Sequence, residues 1–108
     1  MAGAAILILT QMPDLASAQS LARSLVEARL AACVSIGAPV ESLYHWRGEI
    51  ETAQEVPVAI KTRAGRYAAV EAAIRARHPY ELPEILAVPV VHGLEPYLGW
   101  IVAETAER

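Results

Sequence analysis

Two apolar runs, residues 6–9 and 85–91, place the strongest constraint on how this chain can fold. Every side chain in them is apolar. Because successive side chains of a β-strand point to opposite faces of its sheet, strands of this kind have to be covered on both faces. A chain of 108 residues has room for one hydrophobic core. Its own helices can cover one face of the sheet, and we expect another subunit to cover the second.

The order of the predicted elements indicates the fold class. Hydrophobic periodicity predicts strands at 4–10, 33–46, 50–63 and 85–91, and helices at 13–32, 65–77 and 96–105. This order is that of an α+β, ferredoxin-like βαββαβ arrangement followed by a short C-terminal helix. It consists of an antiparallel sheet with both main helices on one face. We expect residues 1–108 to form one domain.

Prolines predict irregularities in three of the strands. Gly37-Ala38-Pro39 interrupts the second strand and indicates a bulge. A turn at 47–49 joins the second and third strands into a hairpin that is longer than a small sheet requires. Pro57 removes one ladder donor from the returning strand, which predicts irregular pairing there. Pro89 favours an edge strand or a bulge for the last strand.

Composition and charge exclude several classes of partner. The net charge is −3, and the nine basic residues are spread from Arg23 to Arg108, so no basic stripe predicts nucleic-acid binding. The apolar start of the chain has no cationic residue before Arg23 and is too short to span a bilayer, so no membrane partner is expected. Cys33 is the only cysteine, which excludes an internal disulfide and favours the cytoplasm.

The sequence offers no motif of a known enzyme class. It has no GxSxG, no P-loop and no GxGxxG. Acylphosphatases share the predicted topology and use an asparagine, which this chain lacks altogether. We therefore expect a protein without enzymatic activity.

A proline-framed connector, His78-Pro79-Tyr80-Glu81-Leu82-Pro83-Glu84-Ile85, joins the second helix to the last strand. Each proline pushes the residue before it toward extended geometry, so neither His78 nor Leu82 is expected to be helical. His78 can bind Cu²⁺ through a neutral imidazole nitrogen, or it can form hydrogen bonds near the helix C-terminus. The sequence supports both roles about equally.

Cys33 and Lys61 are two polar positions within predicted strands. A lone thiol fixes no metal, so Cys33 is more simply a small buried hydrophobe than a ligand. Lys61 stands in an apolar strand, where a lysine is rarely buried without a partner. We expect it to form an ion pair at a subunit boundary, with Glu55 or Glu84 as partner, and an anion-binding pocket is the second interpretation.

The aromatic residues are interpreted as subunit-contact or core residues rather than as a ligand-stacking box. Trp46 lies near the tip of the long hairpin, where we expect it to be buried against a neighbouring subunit. His45 and His92, near the hairpin tip and a strand end, are expected to be solvated.

Five motifs occur in the order and at the spacing of one known family: Ala31-Ala32-Cys33-Val34, Tyr44 to Ile50, Ile60-Lys61-Thr62, His78 to Ile85 and Tyr97 to Trp100. Through them the chain resembles the CutA-type divalent-cation-tolerance proteins. The resemblance implies a ferredoxin-like protomer in a tight homotrimer, with hairpins that extend sheets between subunits. It also implies a link to copper and other divalent cations, without a settled enzymatic activity. Two departures are Thr10, where some relatives have a cysteine, and Pro57.

The resemblance and the residues together lead to one main expectation. The chain is expected to be a trimeric, non-enzymatic protein of divalent-cation tolerance, with Cu²⁺ or another divalent cation bound weakly at Cys33, His78 and Glu84 and no tightly bound cofactor. The residues expected in a cleft or contact between subunits are Tyr44, Trp46, Glu55, Lys61, Tyr80, Tyr97 and Trp100. The alternative is a trimeric signalling or adaptor protein similar to the PII group, with a small ligand in the clefts between subunits.

Overall fold

The computed structural model describes residues 4–107, which form five strands and three α-helices. The strands are β1 (Ala5–Met12), β2 (Cys33–Ile36), β3 (Val40–Trp46), β4 (Glu49–Arg63) and β5 (Ile85–Pro89). The helices are α1 (Leu15–Glu27), α2 (Tyr67–Arg77) and α3 (Glu95–Glu104). A short 3₁₀ turn, Ala64–Arg66, leads into α2.

The sheet is antiparallel throughout, as predicted. β4 lies at its centre, with β1 on one side and both β2 and β3 on the other. β5 pairs with the outer side of β1 and lies at the edge, where Pro89 ends it. The edge position predicted from Pro89 is therefore confirmed.

Both main helices pack on one face of the sheet, as predicted. Alternate residues of β1 and β4, among them Ile8 and Ile60, point toward α1 and α2 and are fully buried. The helices contribute Leu21, Leu25, Val70 and Ile74, each with 0% of its surface exposed. This layer between sheet and helices is the hydrophobic core.

The interruption at 37–39 is a bulge of one residue, as the sequence indicated. Ile36 pairs with Val58 and Val40 pairs with Glu55, so three residues of one strand lie opposite two of β4. The carbonyl of Pro57 faces this bulge, where it accepts a hydrogen bond of 2.9 Å from Gly37 N–H. The backbone N and C=O of one strand residue point toward the same neighbouring strand. The nitrogen of Pro57, which has no hydrogen to donate, therefore also faces the bulge and not β1. The pairing of β4 with β1 is therefore continuous through Gln11 and Pro57.

Helix α1 begins where predicted but ends earlier. Asp14 caps it by accepting a hydrogen bond from Ser17 N–H at 2.7 Å, and this bond lowers the pKa of the Asp14 carboxyl. The prediction that the helix continues to Ala32 was wrong, because Arg29 adopts a left-handed φ of 59° and ends it. The N–H of Leu30 then donates a hydrogen bond of 2.9 Å to the carbonyl of Leu25 at the end of the helix. Glycine usually forms such an ending, and without one the sequence carried no stop signal.

β3 and β4 form a hairpin that extends beyond the helices. The two turn residues, Arg47 and Gly48, have φ values of 51° and 82°, which is the pattern of a type I′ turn. This turn matches the twist of the strands and keeps the hairpin regular to its tip. Leu43 and Ile50 on the hairpin are 65% and 70% exposed, so this arm has apolar side chains without cover in one chain.

Helix α3 is tied to the rest of the fold by arginines. Arg63 Nε and Arg66 Nε both donate to the carbonyl of Thr105, at 3.0 and 2.8 Å. Arg29 forms an ion pair of 3.1 Å with Glu104. Cations next to the carbonyls at a helix C-terminus are stabilising, so these contacts fix α3 at the ends of α1 and β4.

The contact between Gly37 and Pro57 gives a test of the bulge. A Cβ at position 37 would lie 2.8 Å from Pro57 Cγ, so Gly37→Ala is expected to lower the free energy of unfolding by about 1–3 kcal/mol. The matched control is Gly99→Ala inside α3, where a Cβ meets no atom within 4 Å and the helix should gain up to about 1 kcal/mol. Chemical denaturation of both variants measures the difference.

Adding Pro57→Ala to Gly37→Ala removes the Cγ atom and should recover part of the lost stability. Equal stabilities of the Gly37→Ala and Gly99→Ala variants would show that the contact does not restrict residue 37.

Candidate functional site

The sheet face opposite the helices brings most of the predicted site residues onto one surface. Residues paired directly across antiparallel strands have their side chains on the same face. One row of such pairs is Cys33, Lys61, Leu7 and Val88, and the next is Ser35, Ala59, Leu9 and Leu86. A third row contains Pro57 and Gln11. We call these three rows the open face.

The open face is largely apolar, and residues 4–107 of one chain leave it without a cover. Leu86 and Val88 are 56% and 43% exposed, whereas the residues on the helix side of β1 and β4 are buried. The expectation that the helices cover only one face is therefore confirmed. That another subunit covers the open face stays a prediction.

The hairpin continues the open face, because β4 runs unbroken from the sheet into the arm. Glu55, Glu51 and Glu49 alternate in phase with Lys61 along β4. Tyr44 lies opposite Glu51, and Trp46 lies opposite Glu49. The hairpin therefore adds two aromatic rings and three carboxylates to this surface.

Lys61 has no carboxylate partner within the described residues. Its Nζ donates to Ser35 Oγ at 3.1 Å and lies 3.8 Å from Cys33 Sγ. The ion pairs found between residues 4 and 107 do not include it. An ion pair of Lys61 across a subunit boundary stays a prediction.

Cys33 is partly exposed in one chain, so it does not belong to the chain's own core, and its burial by another subunit stays a prediction. The register explains the difference, because Cys33 pairs with Lys61 and so belongs to the open face rather than to the core. In the sequence, the neighbouring Val34 and Ala31 gave the segment an apolar character. They did not reveal on which face Cys33 lies.

His78 holds the start of the connector in place. It is extended, as predicted, with φ −79° and ψ 130°, and it is 8% exposed. Its Nε2 lies 2.6 Å from the carbonyl of Gln11, and its Nδ1 accepts a hydrogen bond of 3.2 Å from Tyr80 N–H. Since a carbonyl needs a donor and an N–H needs an acceptor, these partners select the neutral imidazole with the proton on Nε2. A metal ion at His78 would have to displace one of these two hydrogen bonds.

The hairpin and the connector meet around Tyr80. The rings of His78 and Tyr80 are 4.5 Å apart, and Arg47 at the hairpin tip forms an ion pair of 2.8 Å with Glu81. Burial raises the pKa of the Tyr80 phenol above its usual range, and Glu55 and Tyr44 raise it further. Tyr44, Glu55 and Tyr80, three of the residues expected in a cleft between subunits, are therefore close enough to interact electrostatically within one chain.

A groove of about 300 Å³ crosses the open face beside the bulge. It is lined mainly by apolar groups, with Ser35, Gln11 and Glu84 among its polar residues. Gln11 Oε1 is buried and has no hydrogen-bond partner among the described residues. Sequence reasoning missed Gln11 because the predicted strand ended at Thr10. The alternation of β1 would have placed Gln11 on the open face.

The three predicted metal ligands are not brought together in one chain. Cys33 is on β2 and Glu84 adjoins β5, so they are about 14 Å apart across three strand spacings and a further four residues, or about 13 Å, apart along the strands. The described residues contain no group of three histidine, cysteine or acidic side chains placed to hold a metal ion. Thr10 donates to the Glu84 carbonyl at 2.7 Å, so this hydroxyl anchors the connector.

Tyr97 and Trp100 lie on α3 and contact each other. Their ring centroids are 5.4 Å apart, and about 40% of each residue is exposed. A role for them in a subunit contact stays a prediction.

The environment of Tyr80 gives a pH-dependent prediction. Glu55→Gln removes a negative charge near the phenol and should lower the pKa of Tyr80 toward 10.0, whereas Glu41→Gln, on the other face of the hairpin, should leave it unchanged. Ultraviolet titration of each variant, with and without Tyr80→Phe, isolates this phenol. Because the folded protein favours the neutral phenol, its stabilising contribution is complete below pH 10.0 and is lost as pH rises through the higher folded pKa. Equal titration curves for the two glutamate variants would show that Glu55 does not act on Tyr80.

Between residues 4 and 107, none of the helices combines the length and the apolar character needed to cross a membrane.

Comparison with known proteins identifies the family. The family model of the CutA1 divalent ion tolerance protein matches residues 6–104. The divalent-cation tolerance protein CutA of Pectobacterium atrosepticum is 43% identical over 99 residues, which are 92% of this chain and 90% of that protein.

Two solved structures match the fold closely. The CutA crystal structure from Xylella fastidiosa has a TM-score of 0.91 and 46% identity, and the match covers 94% of this chain and 98% of that one. A protein from Archaeoglobus fulgidus, named a periplasmic divalent cation tolerance protein, has a TM-score of 0.91 and 37% identity, over 94% of this chain and 99% of that one. The chain therefore belongs to the CutA1 divalent ion tolerance family.

Proposed function

We propose that this protein acts in divalent-cation tolerance as a non-enzymatic homotrimer. The observation that carries the assembly is the open face, an apolar sheet surface that the described part of one chain does not cover. A surface of this kind marks a contact with another protein, and copies related by closed symmetry are the simplest partner. The projecting hairpin supplies a second surface for the same contact.

The family supports the role in cation tolerance, and its relatives are named for tolerance rather than for a reaction. These names do not favour the PII-like alternative. We propose the cytoplasm as the compartment, because a lone cysteine suits a reducing environment.

We further propose that copper binds weakly, with ligands drawn from more than one chain. Cys33, His78 and Glu84 supply a soft thiolate, an imidazole and a carboxylate, of which the first two suit copper better than Mg²⁺ or Ca²⁺. One chain holds them too far apart for a joint site. Assembly is the means by which such groups from different chains can meet.

The homotrimer is tested by the molar mass in solution. Size-exclusion chromatography with light scattering at micromolar protein should give three times 11.6 kDa. The mass should persist on dilution, because the open face and the hairpin arm expose apolar side chains in the monomer. A peak at 11.6 kDa would contradict the proposal.

The copper site is tested by calorimetric titration of Cu²⁺ into the wild type and matched variants. Cys33→Ser should lower the affinity, because the hydroxyl replaces the soft thiolate donor. His92→Ala, in an exposed position after β5, is the control and should leave the affinity unchanged.

The His78→Ala variant decides whether this histidine belongs to the site. A lower affinity supports His78 as a ligand. An affinity equal to that of the wild type removes it from the ligand set.

A further inference from the structure

Lys61 holds its ammonium group directly beside the thiol of Cys33. The two residues pair across β4 and β2, so their side chains are neighbours on the open face. Lys61 Nζ lies 3.8 Å from Cys33 Sγ and donates a hydrogen bond of 3.1 Å to Ser35 Oγ. The hydroxyl of Ser35, two residues further along β2, therefore keeps the positive charge beside the sulfur.

The charge of Lys61 is not neutralised by an ion pair within the described residues. The ion pairs between residues 4 and 107 do not include it. The other members of its row on the open face, Leu7 and Val88, are apolar. Lys61 and Cys33 are both only partly exposed, so water screens this charge less than it would on an open surface. A cation that approaches the thiol therefore meets a positive charge.

The charge of the metal ion decides how strongly this ammonium acts on it. A thiol releases its proton when a metal binds, and the thiolate then carries one negative charge. With monovalent copper, the thiolate and the metal together carry no net charge. With a divalent cation they keep one positive charge. A metal bonded to this sulfur at about 2.3 Å lies no more than about 6 Å from Nζ where the structure places it, which is close enough for repulsion.

We propose that Lys61 determines the specificity of the copper site and selects monovalent copper over divalent cations at Cys33. This inference rests on the copper site proposed above and names the oxidation state that the site accepts. A thiolate is a soft ligand and suits Cu(I), and a reducing compartment keeps both the thiol and the metal in their reduced states. The repulsion also gives a reason for weak binding of Cu²⁺ at this position.

Competition titrations with Cu(I) and Zn²⁺ test the role of Lys61. Both ions have a filled d shell and bind thiolates, so charge is the main difference between them at this site, and neither oxidises the thiol. Full-length protein in its solution assembly is titrated without oxygen with each metal alone, against a chromophoric chelator. The part of the affinity that Cys33→Ser removes is the thiol-dependent part, and this part is compared between variants.

Lys61→Gln removes the charge and keeps a polar side chain. We expect it to raise the thiol-dependent affinity for Zn²⁺ by about tenfold or more and to change that for Cu(I) by less than about threefold. Lys61→Arg keeps the charge and should preserve the selectivity of the wild type. Arg75→Gln removes one positive charge from the exposed surface of α2, on the other side of the sheet, and should alter neither affinity.

Ser35→Ala gives a second variant that leaves the charge in place. Without the hydroxyl, the ammonium is no longer held beside the sulfur, so the Zn²⁺ affinity should rise by a smaller factor than in Lys61→Gln. Ionic strength gives a further readout. Because salt screens the repulsion, the difference in Zn²⁺ affinity between the wild type and Lys61→Gln should narrow as sodium perchlorate is added.

Two results would overturn the role of Lys61 while leaving the copper site in place. One is equal Zn²⁺ affinity in the wild type and Lys61→Gln. The other is an equal loss of affinity for both metals in Lys61→Gln, which would indicate a structural role. A wild type with thiol-dependent affinity for neither metal would contradict the copper site itself, and this inference with it.

Discussion

The pairing of β4 with strands on both of its sides is the interaction on which the rest of the structure depends. Over fifteen residues, β4 pairs with β1 on one side and with β2 and β3 on the other. Its alternation sends Val56, Val58 and Ile60 into the core. It also sends Glu55 and Lys61 to the open face. A shift of one residue in this register would exchange the two sets and place a lysine under the helices.

The bulge opposite Pro57 makes this long strand possible. A proline at the centre of a sheet normally leaves a ladder donor missing. The backbone nitrogen of Pro57, which carries no hydrogen, faces the gap between the end of β2 and the start of β3. The pairing of β4 with β2 and with β3 therefore loses no hydrogen bond. The extra residue at 37–39 also gives the hairpin its own register, which carries Tyr44 and Trp46 onto the side of the open face. The irregularity is therefore part of how the open face is built.

The connector fixes the other border of that surface. His78 uses one nitrogen on the Gln11 carbonyl and the other on Tyr80 N–H, while Thr10 holds the Glu84 carbonyl. These contacts position Tyr80 beside the hairpin residue Glu55, and Arg47 adds an ion pair to Glu81. The result is a surface in which aromatic, acidic and basic groups surround an apolar sheet.

The sequence by itself determined the order of elements, the helix-covered face, the bulge and the extended geometry of His78. These features depend on local patterns: apolar periodicity, the φ restriction of proline and the freedom of glycine at turns. The end of α1 was not predictable, because Arg29 adopts a left-handed conformation that its side chain does not favour. The tertiary structure alone decided that Cys33 faces Lys61, that both nitrogens of His78 have partners, and that Gln11 Oε1 has no partner between residues 4 and 107. These facts depend on strand register and on contacts between residues far apart in the chain, which local patterns do not encode.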